Sequence, residues 1–129
     1  MTEWSSDELR RIGAADELRI ASYRTDGTLR PYVTIWAVAV GDAVYVRSAY
    51  GADNPWFVRA TRAGAGRIQA GGVERDVQFA RAAEADQDAI DAAYHQKYDR
   101  YGQRIVGSVT GAHAHPVTLR LTPAATPAP

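Results

Sequence analysis

Three two-residue turn signals divide most of this chain into short apolar segments: Asp26-Gly27, Gly41-Asp42 and Gly71-Gly72. Because glycine accepts the positive φ angles of tight turns, each pair predicts a hairpin of antiparallel strands. The strand-like segments are 18–24, 30–40, 43–48, 67–70, 73–81 and, near the C-terminus, 116–121. These six segments predict a six-stranded antiparallel β-barrel.

Helical patterns flank the predicted strands at three places. The capping-box sequence at Ser5 predicts a short N-terminal helix. Pro55 predicts the start of a second helix, because proline at a first turn has no N–H to leave unpaired. Apolar residues recur at helical spacing over 85–101, which predicts a third helix. The expected fold is therefore mainly β with two or three flanking helices. Two glycines are expected to end the second helix: Gly64 and Gly66.

Composition excludes several classes of function. The 129 residues carry 15 basic and 15 acidic side chains, so no net charge draws the chain to nucleic acid or to a membrane surface. The absence of cysteine excludes disulfides, thiolate catalysis and cysteine-based zinc sites. No signal peptide or membrane-spanning segment is evident, so the cytoplasm is the expected compartment. We expect one barrel domain over 1–123 and a disordered tail, rich in Pro and Ala, over 124–129.

Two features of the predicted strands require a covering partner. The segment 30–40 is apolar on both faces, which is expected of a strand at the centre of a barrel or between a barrel and a partner surface. Arg75 lies at an inward-facing position of the segment 73–81. A buried guanidinium is costly without a counter-charge, so we expect an acidic or ligand partner for Arg75.

The stretch 43–62 has the pattern of a phosphate site. A strand ends at Arg47 and Ser48, and a helix follows at Pro55, with Arg59 one turn inside it. Free backbone N–H groups at a helix start and nearby guanidinium groups are what a phosphate needs. The alternative is that Asp53 or Asn54 caps the helix, Trp56 fills the core, and the arginines pair with surface acids. Three residues near the first hairpin extend the anion site or form an ordinary solvated face: Arg24, Arg30 and Thr34.

The third helix carries a face of tyrosines. Tyr94, Tyr98 and Tyr101 follow one another at spacings of four and three residues. As a lid, this face offers hydroxyl donors to a polar substrate and rings to a planar one; the alternative is that the rings are buried and bond the backbone. Lys97, the single lysine, is a candidate base or anion-binding group if burial lowers its pKa; the alternative is an exposed helix lysine.

The three histidines do not assemble into a convincing metal site. His113 and His115 share a face if their segment is extended, but a catalytic zinc needs a third ligand, for which the sequence offers His95 or a distant carboxylate. We therefore predict no metal. The roles left open for these histidines are proton transfer to a substrate and solvated loop positions.

Several motifs occur in one order along the chain: Ser48, Gly51, Asn54-Pro55-Trp56, Ala80-Arg81, the tyrosine-rich helix 94–101, and Leu121-Thr122-Pro123. This order resembles that of the flavin-binding split-barrel superfamily, which includes pyridoxamine phosphate oxidases and deazaflavin-dependent nitroreductases. From Trp4 to Pro123 the chain also resembles an uncharacterised bacterial domain family grouped with these split barrels. Three features depart from the pattern: Tyr50-Gly51 replaces a Gly-Gly loop, Arg59 or a neighbour replaces a helix Asn, and Asp53 places a negative charge at the helix start.

The resemblance implies a split barrel that binds FMN or a deazaflavin coenzyme in a cleft, usually between the two subunits of a homodimer. The cofactor-binding candidates are Arg47, Ser48, Asn54, Trp56 and Arg59. The catalytic candidates are Tyr94, Tyr98 and Lys97. The leading hypothesis is a flavin- or deazaflavin-dependent oxidoreductase acting on a small organic substrate, because no nucleophile triad, thiol or metal cluster is evident. The alternatives are a cofactor-free binding protein or isomerase/cyclase that uses a tyrosine-lined cleft, and a structural dimerisation domain.

Overall fold

The computed structural model describes residues 3–124, which form seven strands and four α-helices. In chain order these are α1 (Ser6–Ala14), β1 (Leu18–Ser22), β2 (Val33–Ile35), β3 (Ala37–Val40), β4 (Ala43–Arg47), α2 (Pro55–Ala63), β5 (Ala65–Ala70), β6 (Val73–Arg81), α3 (Gln87–Tyr98), α4 (Gln103–Val106) and β7 (Thr118–Pro123). Short 3-10 turns cover Glu84–Asp86, Asp99–Tyr101, Gly107–Val109 and Ala112–Val117.

The strands form one antiparallel sheet in the order β2-β1-β5-β6-β7-β4-β3. β2 and β3 lie at opposite ends of this order, yet they are separated in the chain by Trp36 alone. The two ends of the sheet are therefore brought together, and the sheet curls into a nearly closed barrel. The predicted antiparallel barrel is confirmed. The strand count is seven rather than six, because the predicted strand 30–40 breaks at Trp36 and pairs with β1 on one side and β4 on the other.

The helix boundaries follow from local capping chemistry. The capping box of α1 is complete: the Ser5 hydroxyl accepts from the Glu8 N–H at 3.1 Å, and the Ser5 N–H donates to the Glu8 carboxylate at 2.9 Å. Gly64 ends α2 with φ 70° and donates to the Ala60 carbonyl at 2.9 Å, as predicted. Gly66 does not cap the helix. It lies within β5, where a Cβ atom would fall 2.0 Å from the Ala21 carbonyl oxygen, so only glycine allows this approach of β5 to β1.

Two hydrophobic clusters cover the two faces of β4, whose five residues are all buried. Val44 and Val46 point into the barrel cluster, together with Ile12 of α1 and Phe57 of α2. Tyr45 points the other way, into a second cluster beneath α3. The alternation of side chains along a strand therefore places Arg47 on the α3 side, two residues after Tyr45.

Arg75 has the acidic partner that its inward-facing position requires. Its guanidinium lies 3.2 Å from the Glu8 carboxylate and over the ring of Trp4 at 5.8 Å. No helix of the described residues is long and apolar enough to cross a membrane. The predicted tail 124–129 lies outside the described residues except for Ala124, whose N–H donates to the Asp76 carbonyl at 2.9 Å.

Candidate functional site

A groove runs along β2, and one end of it is lined by arginines. Arg30 and Arg59 line a small depression of about 10 Å³ beside Ser22 and Pro31, and Trp56 also lines it. Within residues 3–124, neither guanidinium forms an ion pair or a side-chain hydrogen bond. Arg59 is exposed on α2, whose first turn has no side-chain cap. Positive charge is therefore available for an anion at this place, which we call the arginine end.

The other end of the groove is a larger, mostly apolar depression of about 300 Å³. Trp56 lines it as well, so the two depressions are neighbours with this side chain in common; we call the pair the β2 groove. The walls of this aromatic end come from β2, the loop after β4, and the segment after α3, and they include Thr34, Trp36, Ala49, Tyr50, Asn54, Ile105 and Val109. A concave apolar surface of this size fits a planar organic molecule.

The rim of the aromatic end exposes apolar side chains. Tyr50 is 82% exposed and Ile105 is 45% exposed. Tyr50 has φ 65°, an uncommon angle for a residue with a Cβ, and this angle holds its ring away from the barrel. Trp36 is supported from behind by Tyr98, with ring centroids 4.0 Å apart and planes 6° from parallel. The aromatic end is thus a rigid wall with an apolar, solvent-facing edge.

Arg47 also lines the aromatic end, but its guanidinium bonds protein groups. Its side chain has no exposed surface. Nε donates to the Thr118 hydroxyl at 2.9 Å, Nη2 to the Gln87 side chain at 2.7 Å, and Nη1 to the Val109 carbonyl at 2.8 Å and to the Asp91 carboxylate. Four of the five guanidinium N–H donors are therefore engaged inside the protein. Arg47 joins β4, α3 and the segment before β7.

Asp91 carries the negative charge of this network. Its carboxylate accepts from Arg47, from the Gly111 N–H at 3.3 Å, and from His115 Nε2, which lies 3.0 Å away. Burial alone would raise the pKa of Asp91, but the hydrogen bonds from His115 and Arg47 outweigh it and hold this pKa below its usual value. The Arg47–Asp91 ion pair is therefore supported by hydrogen bonds from other protein groups to both of its members.

The remaining cofactor-binding candidates lie around the same corner. Ser48 is fully buried, and its hydroxyl donates to the Gly51 carbonyl at 2.6 Å. Asn54, rather than Asp53, occupies the N-cap position of α2 and lines the aromatic end, with its side-chain amide 3.4 Å from the Ala49 carbonyl. Trp56 packs edge-to-face on Phe57 at 5.9 Å. The structure thus brings Arg47, Asn54, Trp56 and Arg59 to the β2 groove, whereas Ser48 is buried and does not line it.

Two of the three catalytic candidates of α3, the tyrosines, are buried, whereas Lys97 is partly exposed. Tyr94 and Tyr98 have no exposed surface. The Tyr98 hydroxyl lies within hydrogen-bond distance of the Asp16 carbonyl, at 2.8 Å, and accepts from the Ala37 N–H at 3.2 Å. The Tyr94 hydroxyl has no hydrogen-bond partner among the described residues. Burial raises the pKa of both phenols, so both stay protonated at neutral pH. The rings are buried, as in the alternative stated for this face, and a role in proton transfer stays a prediction.

The histidines lie apart from the β2 groove and from one another. His113 and His115 would share a face only in an extended segment, and residues 112–117 instead form a 3-10 turn in which His113 is exposed and His115 bonds Asp91. His95 is also exposed and pairs with Asp99 at 2.8 Å. Among residues 3–124, no group of three potential ligands is close enough to hold a metal ion.

Sequence reasoning missed the partners of Arg47. Gln87 and Asp91 lie four residues apart, and with Ile90, Tyr94 and Tyr98 they share the face of α3 that covers β4. An acidic residue on the apolar face of a helix needs a buried cation, and that rule applied to Asp91 would have pointed to Arg47.

Solved structures with this fold define the class of protein. The chain is similar to HutZ, described as the heme storage protein from Vibrio cholerae, with 14% identity, a TM-score of 0.60, and coverage of 93% of this chain and 88% of that one. It is similar to a protein described as a domain-swapped dimer, with 12% identity, a TM-score of 0.60, and coverage of 91% and 92%. It is also similar to a FAD-binding protein from Mesorhizobium loti, with 17% identity, a TM-score of 0.57, and coverage of 95% and 92%. At these identities the likeness shows the fold, which is the split barrel of proteins related to pyridoxamine phosphate oxidase.

Within this class, a sequence-family model matches residues 8–121. The chain belongs to that family, described as "Uncharacterized protein conserved in bacteria (DUF2255)". A search of curated proteins found no match. The resemblance to split barrels and to a bacterial domain family is therefore confirmed.

Proposed function

We propose that this protein binds a phosphorylated flavin-type cofactor, FMN or a deazaflavin, in the β2 groove and acts as an oxidoreductase on a small organic substrate. One observation carries the proposal: two guanidinium groups without carboxylate partners in the described chain, those of Arg30 and Arg59, lie next to an aromatic depression of about 300 Å³. A phosphorylated planar molecule needs these two environments side by side.

The dimensions of the groove support a mononucleotide-sized ligand. Pro31 and Val33 line one end of the groove and Thr34, Ile35 and Trp36 the other. An extended segment from 31 to 36 spans roughly 17 Å at about 3.3 Å per residue. Trp56 lines both ends, so it would contact the ligand between phosphate and ring. The fold that the chain shares with a FAD-binding protein supports a flavin as the ligand.

The residues of the chain would bind and orient, while the cofactor supplies the chemistry. A bound flavin or deazaflavin supplies hydride transfer, which no side chain can perform. Arg30 and Arg59 would donate hydrogen bonds to phosphate, and Trp36 and Trp56 would pack on the ring and exclude water. Tyr98 would act as a positioning residue, because it stacks on Trp36 from behind. Arg47 would hold the wall through α3 instead of donating to the phosphate.

The same groove supports a homodimer. Its rim exposes Tyr50, Ile105 and Tyr101, and β2 has one of its edges unpaired in the sheet order. Exposed apolar side chains around a concave site favour burial against a partner surface. A structural neighbour is described as a domain-swapped dimer, which supports this arrangement. Sedimentation equilibrium should give twice the chain mass of 14.0 kDa.

Titration with flavins tests the binding proposal. We expect FMN or a phosphorylated deazaflavin to lose fluorescence on binding, and riboflavin, which lacks the phosphate, to bind more weakly. Replacing Arg30 or Arg59 with Ala should weaken FMN binding by about 1.5–3 kcal/mol each, or roughly 10- to 150-fold, because a charged hydrogen bond is lost. Binding of riboflavin should be unchanged in both variants.

Arg62→Ala is the matched control, because Arg62 is exposed on the same helix but does not line the groove. Equal effects of Arg59→Ala and Arg62→Ala would contradict a phosphate at the arginine end. A failure of FMN and deazaflavin alike to bind would contradict the cofactor proposal as a whole.

A cofactor-free binding protein is the second candidate, and the position of Arg47 favours it. Arg47 lines the aromatic end, but its charge is balanced by Asp91 and one of its N–H groups is bound by Gln87. Among residues 3–124 this end therefore has no cation without a counter-charge, which suits a neutral planar ligand. In that case calorimetry should detect binding of a small neutral aromatic amide such as benzamide by a protein that binds neither flavin.

A further inference from the structure

A second pocket lies on the other side of α3, away from the β2 groove. Its volume is about 280 Å³, and α1, β3 and α3 contribute its lining residues: Gly13, Val38, Ala39, Ala93, Gln96 and Lys97. The walls are small and apolar except for the Gln96 amide and the Lys97 side chain. We call it the lysine pocket. Lys97 is the single lysine of the chain.

The Lys97 amine is held in place without a counter-charge. Nζ donates to the Ala37 carbonyl at 2.7 Å and lies 5.0 Å from the centroid of the Tyr98 ring. A carbonyl oxygen accepts from an ammonium group and, more weakly, from a neutral amine, so this contact favours the charged form but is also possible for the neutral one. The nearby Asp16 carboxylate is bound by Arg100 and by the Tyr101 hydroxyl, the latter at 3.0 Å. Within the described chain, no carboxylate forms an ion pair with Lys97.

Desolvation decides the protonation state of this amine. Burial lowers the pKa of Lys97 to about 8, against the attraction of Asp16, which favours the charged form. At pH 7.5 an amine with a pKa near 8 is about one-quarter neutral, whereas an ordinary lysine with a pKa near 10.4 is about 0.1% neutral. The lone pair that a nucleophile needs is therefore present in a substantial fraction of molecules.

We infer that Lys97 captures a small aldehyde or ketone in the lysine pocket as an imine. The Nζ lone pair attacks the carbonyl carbon, the carbonyl electron pair moves to oxygen, and a proton passes from nitrogen to oxygen. The resulting hydroxyl leaves as water after it takes up a proton, and the C=N bond forms. No oxidant or reductant is consumed, and hydrolysis reverses the step. This inference does not depend on the proposed flavin site.

The lining selects the class of carbonyl compound. Gly13, Ala39 and Ala93 offer short apolar walls, which fit a short alkyl chain better than a charged or branched one. The Gln96 amide can hydrogen-bond a polar group at the mouth. The expected ligand is a short aliphatic aldehyde or ketone.

Reductive trapping tests the inference on the whole protein. The protein is incubated with butanal and sodium cyanoborohydride at pH 7.5, and peptide mass spectrometry locates the butyl group. We expect Lys97 to be labelled at least tenfold faster than the side-chain amine of Nα-acetyl-lysine amide in the same tube. The labelling rate should saturate as the butanal concentration rises, because the aldehyde binds before it reacts. A rate at Lys97 equal to that of the model amine, or a rate that rises linearly without saturation, would overturn the inference.

Two variants distinguish binding of the aldehyde in the lysine pocket from reaction with any accessible amine. Ala93→Leu narrows the lysine pocket one helical turn from Lys97 and should lower the Lys97 labelling rate at least tenfold, with the α-amino group as the unchanged internal reference. Lys97→Arg keeps a cation that can donate to Ala37, and its lysine-peptide signal should vanish. Circular dichroism checks that each variant is folded. If Ala93→Leu does not fold, the saturation measurement on the unmodified sequence decides; unchanged labelling in a folded Ala93→Leu would overturn the pocket.

Discussion

Two regions of this protein use arginine in opposite ways. Beneath α3, the Arg47 side chain has no exposed surface and donates to four protein groups. At the arginine end of the β2 groove, Arg30 and Arg59 have no ion-pair partner among the described residues. A guanidinium whose donors are used inside the protein is part of the packing, whereas one without partners at a concave surface is available to a ligand. Arg47 is therefore expected to contribute to stability, and Arg30 and Arg59 are the proposed anion-binding residues.

Replacing Arg47 and Arg59 by alanine, one at a time, should reveal the largest difference between the two regions. Arg47→Ala should lower the free energy of unfolding by about 3–5 kcal/mol, because it leaves the partly buried Asp91 carboxylate without its cation. Arg59→Ala, at an exposed position without partners, should change it by less than about 0.5 kcal/mol. Urea denaturation followed by circular dichroism measures both.

The double variant Arg47→Ala/Asp91→Ala refines this test. Because it removes both charges, it should be destabilised by less than the sum of the two single variants, with a coupling energy of about 1–3 kcal/mol. If Arg47→Ala were no more destabilising than Arg59→Ala, the two regions would not differ in the way described.

A smaller contrast exists within the region beneath α3, between two buried tyrosines. Tyr98→Phe should destabilise the fold by about 1–3 kcal/mol, because the Ala37 N–H loses its acceptor and the Asp16 carbonyl loses a donor. Tyr94→Phe should be neutral or stabilising, since the Tyr94 hydroxyl has no partner among the described residues. Urea midpoints of the two variants give the comparison directly. Equal losses of stability in the two variants would contradict the idea that the hydrogen bonds of the Tyr98 hydroxyl set the two tyrosines apart.

Much of the fold could be predicted from local chemistry. The glycine turns at 26–27, 41–42 and 71–72 and the capping box at Ser5 each act over a few residues, and each is found where expected. The break at Trp36 could not be predicted, because it arises when the two ends of the sheet meet and the chain must change pairing partner. The short helical turns of 103–117 were also missed, since their sequence lacks a clear apolar period.

The sequence pointed to the corner beside which the groove lies, but not to the contacts that each residue there makes. The strand-to-helix corner around Asn54 and Trp56 does border a groove, as its turn and proline signals indicated. The hydrogen bonds of Arg47 depend on α3, which begins forty residues later in the chain and covers the outer face of β4. A pattern local to 43–62 contains no information about that cover. The sequence of α3 did indicate that Arg47 is buried, because Asp91 stands among apolar residues on the helix face that covers β4.

Lowering the pH compares how much the Arg47–Asp91 pair and a surface ion pair stabilise the fold, and the expected effect is the smallest of all. The pKa of Asp91 is lowered in the folded state, so this carboxylate stabilises the fold above its ordinary pKa, and the stabilisation is lost as pH falls through the lowered value. Asp16 also has a lowered pKa, through Arg100 and Tyr101, but it lies on the surface, where salt screens its charge. Urea midpoints between pH 7 and pH 3 should therefore fall less steeply for Asp91→Asn than for the unmodified chain. The corresponding difference for Asp16→Asn should be smaller and should shrink in 0.5 M salt (Debye length about 4 Å), whereas that of Asp91→Asn should persist. Equal salt sensitivity would mean that the Arg47–Asp91 pair is reached by solvent ions, and Arg47 would then be as available to a ligand as Arg59.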